Sequence, residues 1–270
     1  MYGPSEKPTG SQPGVDVDAD WQRRVVGRSL RSAAERSVDR GMNLIRAAAA
    51  VLERSNGEDI TVQEVADEAG QSLRTLYQYF ESKDDLLLAV FEEAMRTYAQ
   101  LIEESIGALS DPLDRLAGAM VAAVRMPELV ESGFNRGLVR LRLRLSQTKP
   151  DMVGQAQSAV TSLVRSLVEE AAASRRIEAA DAEAATFMIL SLNAAFITTE
   201  TIGNDAGVRR PDVKGVTAFC LRGLGADVDD AWYESIAGRL RLPASEAPPP
   251  SPTRSAEGGR PPRPRALKKA

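Results

Sequence analysis

The sequence predicts an all-α protein, and three observations favour that fold class. Aromatic residues make up only 5% of the 270 residues, while Ala and Leu are abundant, a balance that favours helices over strands. Apolar residues recur with helical period in nearly every segment of the central chain. The sequence shows neither an internal repeat nor a convincing strand pattern. A chain of this length has room for one large domain or two small ones.

Composition also excludes several kinds of site. The sequence contains no histidine, which removes histidine-based catalytic triads, metal ligands and general bases. Cys220 is the only cysteine, so an internal disulfide and a cysteine-rich zinc site are both excluded. The formal net charge of −4 argues against a uniformly basic surface for nucleic acid, but a local basic patch remains compatible with it. We therefore expect no metal and no cofactor.

Both ends of the chain are predicted to be unfolded. Residues 1–36 are assigned to a disordered leader and a basic arm, because the first twenty residues contain no apolar run long enough to pack. Residues 243–270 are Pro-rich and basic, which predicts a solvated tail. No signal peptide is recognised, and no apolar stretch approaches the roughly 20 residues of a membrane span. We expect a folded region over residues 37–242, no association with membranes, and a cytoplasmic location.

Helical periodicity places the elements of the folded region in order. Apolar stripes predict helices around residues 44–52 and 87–106, and Pro112 is typical of the first turn of another. Residues 138–145 alternate leucine with arginine, as a half-buried strand does, but the leucines also share one helical face. Because an isolated strand would leave its backbone unpaired, we assign this segment to a helix. Further helices are predicted at 153–171, 182–202 and 212–224.

Helix-start and helix-stop signals lie close together after residue 60. Thr61 and Glu64 have the spacing of a capping box, so a helix is expected to begin near Val62. Gly70 suits the left-handed turn that would end it. A short helix that ends in a tight turn is the first half of a helix-turn-helix.

The second half follows directly. Ser72 is placed to cap a helix over residues 73–79, and Ser82, three residues before Asp85, is placed to cap the next one. In a helix-turn-helix the second helix enters the major groove of DNA with its N-terminal residues on the base edges. The polar side chains of this helix suit that role, since they can bond bases or phosphates: Ser72, Arg74, Thr75, Tyr77, Gln78 and Tyr79.

Residues 61–87 resemble the DNA-binding domain of tetracycline-repressor (TetR) family regulators, above all in the run Leu-Tyr-x-Tyr-Phe-x-Ser-Lys at 76–83. The close similarity extends over about 37–96, whereas 97–242 is similar only in length and helical content. The resemblance implies a three-helix DNA-binding domain at 37–96, with its motif at 61–80, and a larger helical effector-binding and dimerisation domain at 97–242.

The resemblance also assigns residue roles. Thr61 and Lys83 would contact phosphates, while Leu76 and Phe80 would hold the helical hairpin together. The complete set of implied DNA contacts is Thr61, Ser72, Leu73, Arg74, Thr75, Tyr77, Gln78, Tyr79 and Lys83. Arg74 stands where the family commonly has Gly or Ala, and Gln71 where it has a small apolar residue, so the operator sequence cannot be transferred from a relative. Capping and periodicity alone are equally compatible with an ordinary helical hairpin whose polar residues face water.

Arginines precede and enter the first helix: Arg23, Arg24, Arg28, Arg31, Arg36 and Arg40. They would form an arm that follows the minor groove or the phosphates, with a solvated extension as the alternative. The basic C-terminal tail is expected to be solvated.

The segment 182–202 is apolar on nearly all sides and therefore needs partners on two faces. With the helix that follows Pro211 it resembles the pair that forms a four-helix dimer interface, which would include Phe187, Leu190, Phe196, Phe219 and Cys220. The alternative is the centre of a monomeric bundle.

An effector pocket is expected between the helices of residues 112–202. Arg142 would meet an anionic headgroup there, and Asn193 and Thr198 are the other polar candidates. Each has an ordinary alternative: an arginine that keeps its head in water, and local hydrogen bonding for the other two.

Together these features predict a homodimeric regulator of transcription, most simply a repressor, that binds a double-stranded, palindromic DNA operator. A small and mainly apolar effector would release it from DNA. We expect no enzymatic activity, since the sequence has no nucleophile elbow, phosphate loop or paired metal motif. A helical enzyme that works without histidine and a helical scaffold protein remain the alternatives.

Overall fold

The computed structural model describes residues 20–56, 58–129, 132–178, 181–203, 207 and 211–242. Every regular element within these ranges is a helix, as the sequence predicts. The helices are α1 Asp20–Arg54, α2 Val62–Glu68, α3 Leu73–Tyr79, α4 Lys83–Ile106, α5 Pro112–Leu129, α6 Ser132–Thr148, α7 Pro150–Ala156, α8 Ser158–Ala173, α9 Ala182–Ile202, α10 Val213–Gly223 and α11 Asp230–Arg239.

The beginning of α1 corrects one prediction. The backbone is helical from Asp20 onwards, so the basic arm is helical and regular structure begins before residue 37, the expected start of the folded region. This stretch has few apolar residues to mark a helical face, but it lacks proline and contains five arginines, which favour helix. The predicted leader at 1–19 and the predicted tail at 243–270 lie outside the described residues.

Two further differences concern short helices. The single helix predicted at 153–171 is divided into α7 and α8 at Gln157, whose ψ of −2° tightens the turn. Helix α11 is not predicted from the sequence, because its ten residues present little apolar periodicity. Its N-terminal signal is nevertheless present: the Asp229 carboxylate accepts a hydrogen bond from the backbone N–H of Trp232 at 2.7 Å.

Buried apolar side chains form two clusters. The head cluster joins α1–α4 with three leucines of α6 and two residues of α7, whereas the body cluster joins the C-terminal part of α4 with α5 and α8–α11. Helix α4 contributes to both, through Phe91 in the head cluster and Ile106 in the body cluster. The α6 members of the head cluster are Leu138, Leu141 and Leu145. Helix α6 is therefore packed into the core of the N-terminal helices.

Helix α9 corrects the expectation about membrane spans. Its 21 residues are long and apolar enough to cross a membrane by length and composition alone. The same test is passed by core helices of proteins that never enter a membrane, and Ala185 and Ile189 of α9 are buried in the body cluster. The finding is therefore weak evidence for a membrane location.

Candidate nucleic-acid interface and ligand pocket

The capping signals form the turn geometry that the sequence predicts. The Thr61 hydroxyl accepts from the backbone N–H of Glu64 at 3.2 Å, and the Glu64 carboxylate accepts from the backbone N–H of Thr61 at 2.7 Å. This reciprocal capping box holds the pKa of Glu64 below its ordinary value. Gly70 follows with a φ of +64°, which favours glycine. Helices α2 and α3 are thus fixed by a short, fully capped connection.

Helix α3 is anchored through one side and exposed on the other. Leu76 is completely buried in the head cluster, and Phe80 packs against the same cluster, as the resemblance implies. Ser72 accepts from the backbone N–H of Thr75 at 3.1 Å, which caps the helix. The exposed side chains face away from this anchor, and the residues Ser72, Arg74, Tyr77 and Gln78 are here called the recognition face. Leu73, Thr75 and Tyr79 are only partly buried.

The Asp59 carboxylate joins the beginning of α4 to helix α6. Lys83, the first residue of α4, donates to the Asp59 carboxylate at 2.6 Å. Arg144 of α6 donates to the same carboxylate at 2.8 Å and to Asp84 at 3.1 Å. The hydrogen bonds from Lys83 and Arg144 hold the pKa of Asp59 below its ordinary value, which keeps it ionised at neutral pH. Asp59 therefore joins the predicted phosphate contact to helix α6.

The same side of α6 makes further contacts with the N-terminal helices. Arg136 donates to the Asn56 side-chain oxygen at 3.0 Å, and Arg140 donates to the Asn56 backbone oxygen at 2.9 Å. With Arg144, these residues recur every four positions and therefore lie on one side of the helix. They tie α6 to the connection between α1 and α2.

A cavity of about 450 Å³ lies between α4, α5, α6, α8 and α9. Its volume falls in the range of small-molecule sites. Most of its wall is apolar, including Phe91, Met95, Ile102, Met120 and Leu190. The three predicted pocket residues, Arg142, Asn193 and Thr198, are all among the residues that line it.

Polar groups in this wall differ in how they are satisfied. The Tyr98 hydroxyl donates to the Asn135 side-chain oxygen at 2.6 Å, and burial raises the pKa of Tyr98 above its ordinary value. Arg165 pairs with Glu183 at 3.1 Å. The Asn193 side-chain oxygen, in contrast, is buried and has no hydrogen-bond partner among the described residues. Sequence reasoning missed Tyr98 and Asn135 because they are 37 residues apart and share no local motif.

The predicted dimer residues fall into two groups. Phe187 and Phe219 are 72% and 70% exposed, and Met188 of α9 is 59% exposed. Leu190 and Phe196 pack partly against the body cluster. Cys220 is buried in that cluster, so its side chain faces the interior of the chain's own fold, and burial raises the pKa of its thiol. Phe187, Met188 and Phe219 define what is called here the exposed α9–α10 surface.

Among the described residues, no group of three or more Cys, Asp or Glu side chains is arranged to hold a metal ion.

Similarity to known proteins is strongest in the N-terminal part of the chain. Residues 44–90 match the family described as bacterial regulatory proteins, tetR family. Over 84 residues the chain is 33% identical to the HTH-type transcriptional regulator HbdR of Aromatoleum sp. (strain CIB), which covers 31% of this chain and 37% of that protein. Over 76 residues it is 32% identical to the fatty acid metabolism regulator protein of Bacillus subtilis (strain 168), 28% of this chain and 39% of that protein. The similar segment thus spans less than half of either relative.

Solved structures extend the likeness of fold to the rest of the chain. RolR in complex with resorcinol superimposes with a TM-score of 0.57 at 21% identity, covering 79% of this chain and all of RolR. FadR from Bacillus subtilis in complex with stearoyl-CoA superimposes with a TM-score of 0.54 at 21% identity, covering 70% of this chain and 99% of FadR. The motif geometry and these similarities agree: residues 44–90 form a helix-turn-helix domain that is similar to the N-terminal domain of the tetR family of bacterial regulatory proteins.

Proposed function

We propose that the protein is a ligand-responsive transcriptional repressor that binds an operator in double-stranded DNA as a homodimer, in the cytoplasm. The observation that carries the proposal is the exposed recognition face of α3, held on a capped helix whose Leu76 is completely buried. A rigid helix that presents hydroxyl, amide and guanidinium groups suits the major groove. The two relatives are named as regulators, which argues against the alternatives of an enzyme or a scaffold.

The exposed α9–α10 surface supports the homodimer. Phe187, Met188 and Phe219 are large apolar side chains that are more than half exposed on one subunit. Exposed apolar side chains that group into one patch are typical of sites of protein–protein contact. A second copy of the chain would present the same surface, and a two-fold contact would place two α3 helices on the two halves of an operator.

The connection between pocket and DNA-binding helices supports regulation by an effector. Helix α6 lines the cavity with Leu138 and Arg142, and the same helix reaches Asp59 through Arg144. A ligand that changes the position of α6 would therefore change the surroundings of Lys83 and the orientation of α3. RolR and FadR were solved with a small phenol and an acyl-CoA, respectively, which supports a mainly apolar effector for this protein.

The proposal is tested by measuring binding of the full-length protein to the DNA upstream of its own gene at several salt concentrations. Tyr77→Ala should weaken binding strongly, because it removes a side chain from the recognition face. Lys83→Gln should weaken binding and reduce the slope of log K against log salt by about 0.9 for each phosphate that is no longer neutralised.

Lys214→Gln is the matched control. Lys214 is paired with Asp230 at 2.9 Å and is 29% exposed, much as Lys83 is paired with Asp59 and 26% exposed. Lys214 lies outside α1–α4 and is not one of the exposed apolar side chains proposed to contact a second copy, so its replacement should leave DNA binding unchanged. Binding that is insensitive to salt, or that is equally affected in the Lys83 and Lys214 variants, would contradict the proposed function.

A further inference from the structure

Arg142 differs from the other charged groups in the wall of the cavity. Arg165 and Glu183 neutralise each other as an ion pair. Arg142 is half-buried, and its guanidinium has no hydrogen bond or ion pair to any residue that the structure describes. The cavity therefore carries one uncompensated positive charge, from a side chain that stays protonated in proteins.

Burial of an unpaired charge is unfavourable, since it loses hydration without gaining a partner. Burial lowers the pKa of Arg142, which reports the same cost. The other α6 arginines avoid this cost by bonding to Asn56, Asp59 or Asp84. A ligand anion would compensate the charge of Arg142 in the cavity, and a guanidinium is shaped to receive a carboxylate through two parallel hydrogen bonds.

Asn193 is a second, independent sign that polar ligand groups are received here. Its side chain lines the same cavity, the residue is only 6% exposed, and its side-chain oxygen has no hydrogen-bond partner in the part of the chain that the structure describes. Buried amide oxygens in proteins are nearly always bonded. A hydroxyl or N–H of a ligand would satisfy it.

The remaining wall specifies the body of the ligand. Phe91, Met95, Ile102, Met120 and Leu190 belong to its apolar part, and the other charged side chains of the described wall, Arg165 and Glu183, are paired with each other. We infer that the cavity binds a small amphipathic carboxylate, with its anionic head on Arg142 and its apolar body against these side chains. The inference rests on the proposed function only in taking this cavity as the effector site.

The test needs no DNA. Full-length protein is titrated with octanoate, 1-octanol and octylamine, and with 2-naphthoate and 2-naphthol, by isothermal calorimetry and thermal shift. At least one carboxylate should bind saturably and raise the melting temperature, because it binds only the folded state. The neutral and cationic analogues should bind at least about tenfold more weakly, since they cannot form charge-assisted hydrogen bonds with Arg142.

Three variants complete the test. Arg142→Met and Arg142→Gln should weaken the binding of carboxylates about tenfold to a hundredfold and should raise the melting temperature of the ligand-free protein. If Arg142 instead stabilised the fold, its replacement would lower the melting temperature of the ligand-free protein. Arg140→Met, the matched control, alters an arginine of the same helix that bonds to Asn56 and is not among the residues lining the cavity, and it should leave octanoate and 2-naphthoate binding unchanged.

Equal affinity for acid and alcohol, undiminished carboxylate binding in both Arg142 variants, or no binding of either carboxylate would overturn the inference. Failure of the protein to bind DNA while carboxylates still bind would count against the proposed function and leave this inference standing.

Discussion

The two sides of helix α6 differ in whether their arginines have hydrogen-bonding partners. On one side Arg136, Arg140 and Arg144 each donate to the connection between α1 and α2 or to the beginning of α4. On the other side Arg142 lines the cavity and bonds to none of the described residues. The paired side holds the N-terminal helices in place, and the unpaired side faces the cavity. One helix thus contacts the N-terminal helices through three arginines and lines the cavity with a fourth.

The largest expected effect comes from moving the paired side away from α1. Gly133, near the beginning of α6, lies so close to α1 that an added Cβ would be 2.6 Å from the backbone oxygen of Glu53. Backbone cannot move aside as a flexible side chain does, so Gly133→Ala should lower the free energy of unfolding by about 1–3 kcal/mol, despite the better helix propensity of Ala. Urea denaturation measures this change.

Gly154→Ala is the control for helix propensity. Gly154 lies inside α7, and nothing would come within 4 Å of an added Cβ there. This variant should be stabilised by about 0.5–1 kcal/mol. If Gly133→Ala is stabilised to the same extent, the close approach of α6 to α1 is not a constraint on the fold.

A smaller effect of opposite sign is expected on the cavity side. Asn193→Leu removes a buried oxygen without a partner and keeps a similar volume, so it should raise the free energy of unfolding by about 1 kcal/mol. For a folded region of this size the melting temperature should rise by about 2–4 °C, as measured by calorimetry.

Asn135→Leu is the matched control for Asn193→Leu. Asn135 is just as buried, but its oxygen accepts from the Tyr98 hydroxyl. Its replacement should leave that hydroxyl unpaired and lower the stability by about 1–3 kcal/mol. Destabilisation of similar size in both variants would mean that Asn193 is also satisfied in solution, and the contrast between its side chain and Asn135 would disappear.

Local signals explain which parts of the molecule could be predicted from the sequence. The boundaries of α2 and α3 follow from Thr61, Gly70 and Ser72, because capping chemistry acts within three or four residues. The placement of Arg142 in the cavity wall follows from helical periodicity. The contacts of Asp59 could not be predicted, since Arg144 is 85 residues away and only tertiary packing brings the two together. The helical arm before residue 37 could not be predicted either, because long helices can form without a strong apolar face.

The smallest expected effect tests whether the paired side of α6 acts through Asp59 specifically. A double-mutant cycle with Arg144→Gln and Asp59→Asn should give a coupling energy in unfolding of about 0.2–1 kcal/mol, because the pair is largely exposed and screened by solvent.

The pKa of Asp59 is lowered in the folded state, first by the hydrogen bond from Lys83 and then by that from Arg144. The contribution of Asp59 to the free energy of unfolding is therefore fully present above its unfolded pKa, near 3.8. That contribution is lost as the pH falls through the lower pKa of the folded state. The coupling should also shrink as salt is added. The same cycle with Arg142→Gln in place of Arg144→Gln should give no coupling, since Arg142 has no contact with Asp59. A coupling of equal size in both cycles would show that the charge of α6 acts as a whole, and that its two sides do not differ as the contacts indicate.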